Sequence, residues 1–405
     1  MSEFGLVTVD FGNGERLPLL IRKSTRLGDF DAATYALSLR DRGLKAKTIE
    51  SAVRAVLILY EVLQQKGVSL YERTSRGELL TQAEVNAISD RCKTRADALD
   101  DPALGVISLA NARRKKARFI RSKDEAVSSK TAKIRLLYII DFLKNFSDRM
   151  RLQKVPPRDA EFQKVSDLVI KALSSKKPTV PKGSDRRGIP EEAQARLFQV
   201  THPDFAGNPW KTNFLRKRNY LILRLLLELG IRKGELLGIK LDDINLRAGL
   251  IFIAKRTNDI DDERTRPATT KTLPRLLTLN DELVKLVLEY LEGVRSTRRL
   301  AETHPYLIVS DEGGALAING VDYVFSSLRA SYPEFVKICA HILRHTTNDR
   351  FKKLCEGMDP DLVTLIQNYL MGWTKNSDTS RTYTKGYVEK KAMEVFMRLQ
   401  GKIFQ

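Results

Sequence analysis

One short stretch near the middle of the chain constrains everything on either side of it. Residues 174–189, SSKKPTVPKGSDRRGI, are rich in Ser, Pro, Gly and Lys and keep no apolar periodicity. That is the composition of a linker. Before it the apolar residues recur at helical spacing, and after it the pattern is mixed. Two separately packed regions are therefore expected, and a 405-residue chain that is 42% hydrophobic can supply both cores. The expected division is an N-terminal segment 1–28, a helical region 29–173, the basic linker 174–189 and a mixed region 190–405.

In the N-terminal segment, GLVTVD and RLPLLI flank FGNGE. Alternating apolar residues around Asn13-Gly14 predict a β-hairpin, either an accessory arm or a hairpin packed on the helical region. The helical region reads as a compact bundle. DAATYALSLRDRG is one helix, and IESAVRAVLILYEVLQQKG is a second, with Thr48 as its expected N-cap. LLTQAEVNAISDRCK and TAKIRLLYIIDFLKNF come next, with a further helical segment to about Leu173.

From Pro190 onward EEAQARLFQV and NFLRKRNYLILRLLLELG are helical, and GLIFIAKR and ATTKTLPRLLTL are strand-like. HPYLIVSD is short and extended, and several helices close the chain. The fold class expected is mainly α with a small β-sheet (α+β). Asp261, Asp262 and Glu263 read as a solvated turn, because adjacent carboxylates lack the spacing that two metals need.

Seventy Lys and Arg against fifty Asp and Glu leave a net charge of +20, spread along the chain. Such an excess favours a polyanionic partner, with nucleic acid foremost. The densest run is NARRKKARFIRSK, where Arg113, Arg114, Lys115, Lys116 and Arg118 are candidates for contact with a DNA backbone. Three dispersed cysteines fit reduced thiols, and four dispersed histidines do not suit a zinc site. No apolar run reaches membrane-spanning length and the N-terminus lacks a signal-peptide pattern, so a cytoplasmic, nucleoid-associated protein with no membrane partner is expected.

The residues that suggest chemistry lie between His341 and Tyr383. HILRHTTNDRF places His341 and Arg344 three apart, on one helical face, with His345 beside them. MGW comes later with Trp373, and ten residues beyond it stands Tyr383. Arginine grips phosphate with parallel hydrogen bonds, and a tyrosine hydroxyl becomes a nucleophile when its phenolate is stabilised.

Together with GIRKGELLGIKLDDI and the strand pair after it, these motifs resemble the catalytic domain of the tyrosine recombinases, the phage-integrase-like site-specific DNA recombinases. The resemblance covers roughly residues 190–400. It implies Arg232 as the first arginine, in a G-x-R-x-x-E turn with Glu235. It further implies His341 and Arg344 as the H-x-x-R pair, Trp373 in the His-or-Trp position and Tyr383 as nucleophile. The family's hairpin lysine matches Lys255 or Lys271, and the K-T followed by an Arg and an apolar strand favours Lys271. The gap from Trp373 to Tyr383 is one residue longer than usual in the family.

The resemblance also implies a chemistry. Arg232 and Arg344 clamp the non-bridging oxygens of a phosphodiester. Tyr383 attacks in line to give a 3′-phosphotyrosine, and the lysine protonates the departing 5′-oxygen. His341 takes the tyrosine proton or orients the phosphate, Trp373 offers an indole N–H, and Glu235 positions Arg232 or His341. No cofactor or metal is called for, since no carboxylate cluster or phosphate-binding G-x-x-x-x-G-K-S/T loop is present.

The partners implied are double-stranded DNA at specific attachment sites and further copies of the chain, as a tetramer working through a Holliday junction. Accessory DNA-bending proteins or co-recombinases would serve a mobile element's integration and excision. The terminal helix, with Val388, Met393, Val395, Phe396 and Leu399 in an apolar stripe, is expected to dock on a neighbouring copy. Rival readings are a type IB topoisomerase, a catalytically idle DNA-binding regulator and a telomere resolvase.

Overall fold

A computed structural model describes residues 3–11, 15–95, 126–181, 188–256, 259, 261–264, 267, 268, 270, 272–373 and 385–401. The chain forms two compact units, residues 1–182 and 183–405.

The first unit opens with strands β1 (Phe4–Asp10) and β2 (Arg16–Arg22), paired antiparallel from Phe4↔Arg22 to Asp10↔Arg16. The Asn13-Gly14 turn lies outside the described residues. Leu17 and Leu20 of β2 enter the same core as the helices, so the hairpin is packed on the bundle. The bundle comprises α1 (Phe30–Asp41), α2 (Ala46–Gln65), α3 (Leu70–Ser75), α4 (Gln82–Cys92), α5 (Ser129–Leu152) and α6 (Asp159–Ser175).

Buried α2 residues Ile49, Val53, Val56, Tyr60 and Leu63 form the expected stripe. The helix starts earlier than Thr48 predicts, because Ala46 and Lys47 are good helix formers and extend it toward the N-terminus. Asp29 caps α1 through Ala32 N–H (3.0 Å) and accepts from Tyr60 Oη (2.8 Å), tying α1 to α2. Thr81 and Glu84 cap α4 reciprocally.

The second unit is built around α8 (Asn213–Glu228), which is buried along nearly its whole length. Before it comes α7 (Glu191–Thr201), and after it the short α9 (Lys233–Gly238). A three-stranded antiparallel sheet, order β3-β4-β5, comprises Ile244–Asn245, Leu250–Ile253 and Arg275–Thr278. Helices α10 (Asp281–Tyr290), α11 (Ile318–Ser331), α12 (Ala340–Leu354), α13 (Pro360–Met371) and α14 (Lys385–Gly401) complete the unit.

HPYLIVSD pairs through the isolated bridges Lys240↔Tyr306 and Val309↔Ala315. The structure corrects two expectations. The acidic string is not a solvated turn throughout: Asp262 is buried and paired with buried Arg264 (2.6 Å), whose guanidinium stacks on Tyr306 and donates to Leu237 O and Leu316 O. The stripe of α14 is covered by its own unit, because Val388, Val395, Phe396 and Leu399 join the core around α8. Gln400, fully buried, fastens that helix by accepting from Asn280 N–H and donating to Thr278 O, both at 2.8 Å. No helix among the described residues is long and apolar enough to cross a membrane.

Candidate active site

Helix α8 ends at Gly230, whose φ of +61° suits glycine. A Cβ there would also lie 2.9 Å from Thr347 Cγ2 on α12. The turn delivers Arg232 to the N-cap position of α9. One turn on, Glu235 reaches back and accepts from the Arg232 backbone N–H at 2.8 Å. The G-x-R-x-x-E spacing is thus a helix start in which the acidic residue serves as half a capping box.

Helix α12 crosses behind this turn, fixed by the Thr347 hydroxyl donating to Leu227 O at 2.5 Å. Arg344 lies one turn into it, and its two terminal nitrogens donate to Gly230 O and Met371 O, each at 2.7 Å. It therefore pins the ends of α8 and α13 together. His341, one turn earlier, is exposed, and its Nε2 lies 3.1 Å from Nε2 of His345. Arg232, His341 and Arg344 converge on an open cleft of about 390 Å³ that Lys233, Asp322 and Cys339 also line.

Beneath the cleft sits Glu235, 2% exposed. Burial pushes its carboxyl up, but Arg275 at 3.0 and 3.3 Å, with Thr272 and the Arg232 N–H, holds it below the ordinary range. Its hydrogen bonds and ion pairs are with Arg275, Thr272, Arg232 and Arg344, and His341 is not among them. Burial pushes Arg232 down from its usual value. Arg344 goes further, to about 9, through burial first and the like charge of Arg232 second.

Trp373 comes straight after the left-handed Gly372 that ends α13; it is 38% exposed and its backbone N–H donates to Asn368 O at 2.8 Å. The strand pair is tied to that turn by Leu273 N–H donating to Gly372 O at 3.0 Å. Lys255 is exposed just beyond β4. Lys271, Tyr383 and the run Arg113, Arg114, Lys115, Lys116 and Arg118 lie outside the described residues.

Sequence reasoning missed Arg275 and Thr272. The only signal was an arginine opening the apolar run RLLTL, which points to a charge at the edge of the core but not to its partner.

Two guanidiniums facing one cleft, over a carboxylate whose hydrogen bonds are used elsewhere, define a site suited to an anion with two oxygens to present. Residues 204–390 match the phage integrase family. The chain thus carries a phage integrase family domain, and several of the curated relatives it matches are named tyrosine recombinases. It is 30% identical over 224 residues to tyrosine recombinase XerA of Thermococcus kodakarensis, covering 54% of this chain and 65% of the relative. It is 27% identical over 157 residues to tyrosine recombinase XerC of Listeria innocua serovar 6a, covering 38% and 45%. The chain spans about half the length of the curated relatives it matches. Among solved structures it is similar to the Tn1549 transposon integrase in complex with circular intermediate DNA, at 14% identity over 89% of this chain and 98% of that one, with a TM-score of 0.47.

Proposed function

We propose that this chain cleaves and rejoins duplex DNA at specific sites through a covalent 3′-phosphotyrosine. The convergence of Arg232 and Arg344 on one cleft, with His341 at its rim, carries the reading. In-line attack builds negative charge on the non-bridging oxygens, and two fixed guanidiniums match it without reorganising. The Tyr383 oxygen bonds to phosphorus as the bond to the 5′-oxygen breaks. His341 takes the phenol proton, and Lys271, or Lys255 in its place, gives one to the leaving oxygen. Trp373 supports the segment that carries Tyr383, and Arg113, Arg114, Lys115, Lys116 and Arg118 grip the backbone of the duplex.

The full activity in this reading is recombination by a tetramer through a Holliday junction, for integration and excision of a mobile element in the cytoplasm. The relatives' recombinase names and the phosphate-suited cleft support it. The test is a nicked suicide duplex carrying the junction sequence of the host element, incubated with wild type and Tyr383→Phe. A covalent adduct with the first and none with the second is expected. An adduct that survives the substitution removes Tyr383 from the reaction. Relaxation of any supercoiled plasmid, without sequence preference, replaces recombination with a topoisomerase activity.

A further inference from the structure

We infer that Arg275 and Thr272 keep Arg232 and Arg344 free for phosphate by occupying the carboxylate of Glu235, which would otherwise neutralise them. The inference rests on the proposed phosphate site and names the residues that maintain it. A carboxylate offers about four acceptor positions. Those of Glu235 are taken by Arg275 Nη1 (3.3 Å) and Nη2 (3.0 Å), the Thr272 hydroxyl and the Arg232 backbone N–H (2.8 Å).

The side chains of Arg232 and Arg344 accordingly stop short, each 3.8 Å from Glu235 and beyond hydrogen-bonding distance. Arg232 Nη1 is enclosed and donates to nothing among the described residues. Arg275 is itself 2% exposed and held from behind, its Nε donating to Leu370 O at 2.7 Å and its Nη1 to Leu273 O at 3.5 Å. Gly372 packs close beside it, where a Cβ would lie 2.6 Å from Nη1.

The charges then add up simply. Lys233 pairs with Asp322, and Glu235, hydrogen-bonded to Arg275 and more distant from Arg232 and Arg344, offsets one of these three guanidiniums, so a net of two positive charges remains. A bound phosphodiester brings one negative charge, and attack by a phenolate brings a second, so the site is charged for the transition state rather than the ground state. Burial is the larger cause of the depressed pKa of Arg344; the like charge of Arg232 adds to it, and Glu235 offsets it only in part. Arg275 is thus a positioning residue, acting through Glu235. A plain structural strut would have the same contacts, but it would not depend on the charge of its partner.

That dependence is the test. Inorganic phosphate binding is measured by calorimetry, and adduct formation on the nicked duplex, for wild type, Arg275→Met, Arg275→Met with Glu235→Gln, Thr272→Val, and Thr272→Val with Glu235→Gln. Arg275→Met is expected to weaken phosphate binding and slow adduct formation by at least about tenfold, since Glu235 then turns to Arg344 and Arg232. Adding Glu235→Gln is expected to recover most of that loss, and Thr272→Val to show a smaller loss with the same recovery. A double variant as poor as Arg275→Met, at equal Tm, overturns the inference and leaves the recombinase reading standing. If wild type forms no adduct yet phosphate binding shows the expected loss and recovery, the recombinase reading falls and the inference stands. If Arg275→Met does not fold, the Thr272 pair decides by the same comparison.

Discussion

Two arginines in the second unit are buried to the same degree and are held in opposite ways. Arg224 on α8 is 3% exposed and Arg344 on α12 is 5%. Arg224 gives its hydrogen bonds to Glu228, to Glu282 (3.0 Å) and to the Tyr220 hydroxyl (3.1 Å). Burial pulls its pKa down, but Glu228 and Tyr220 more than offset this and hold it above the ordinary value. Arg344 gives its hydrogen bonds to two carbonyls, and its pKa falls. Carbonyl oxygens fix a guanidinium in place without cancelling its charge, whereas carboxylates do both. The carbonyl-held arrangement leaves a cation available to a ligand, and the carboxylate-held one leaves a neutral strut.

The largest expected effect separates the two. Arg224→Ala strands Glu228 in the core and should cost roughly 3–5 kcal/mol in urea unfolding. Arg344→Ala unpairs Gly230 O and Met371 O but strands no hydrogen-bonded carboxylate, so it should cost less, about 1–3 kcal/mol. It should nonetheless slow adduct formation by roughly a hundredfold. An Arg344→Ala protein as unstable as Arg224→Ala breaks the comparison.

A pH titration sharpens it. A base with a depressed pKa is charged below that value, so phosphate binding at Arg344 should hold at neutral pH and fade as pH rises through about 9. Arg232→Gln removes the neighbouring like charge and should move that midpoint upward, as read by calorimetry in a buffer series. Smaller effects belong to positions with neither role. Gln400→Leu unpairs Asn280 N–H and Thr278 O and should cost about 1–3 kcal/mol in unfolding. Thr81→Ala, at the cap of α4, should cost about 1 kcal/mol in the first unit and leave phosphate binding unchanged.

The helices were legible because apolar residues recur at 3.6-residue spacing, as in α2, whereas the caps Asp29 and Thr81 were not read and the one cap expected, Thr48, lies inside its helix. His341 and Arg344 were legible because a three-residue spacing places them on one helix face, and Arg232 came in through the family resemblance of its G-x-R-x-x-E turn. What pattern reading could not supply was pairing between distant polar residues. Arg275 sits forty residues from Glu235 and looks like an ordinary strand-edge charge until the fold brings them together. Asp262 read as solvent-facing because an acidic run normally is, yet Arg264, set against Tyr306 and two backbone carbonyls, makes a buried partner for it. The stripe of α14 was visible, but a sequence does not say whether its own core or another molecule covers it.

The polar segment between β4 and β5 is closed where it begins and ends. Arg256 N–H donates to Thr270 Oγ1 at 2.7 Å, and Thr270 N–H donates to Arg256 O at 3.1 Å. A loop cinched at its neck can grow or shrink at an entropic cost that rises only slowly with length. An insertion in this segment that keeps the neck and the buried Asp262–Arg264 pair would therefore leave the register of β5 and the seat of Arg275 in place.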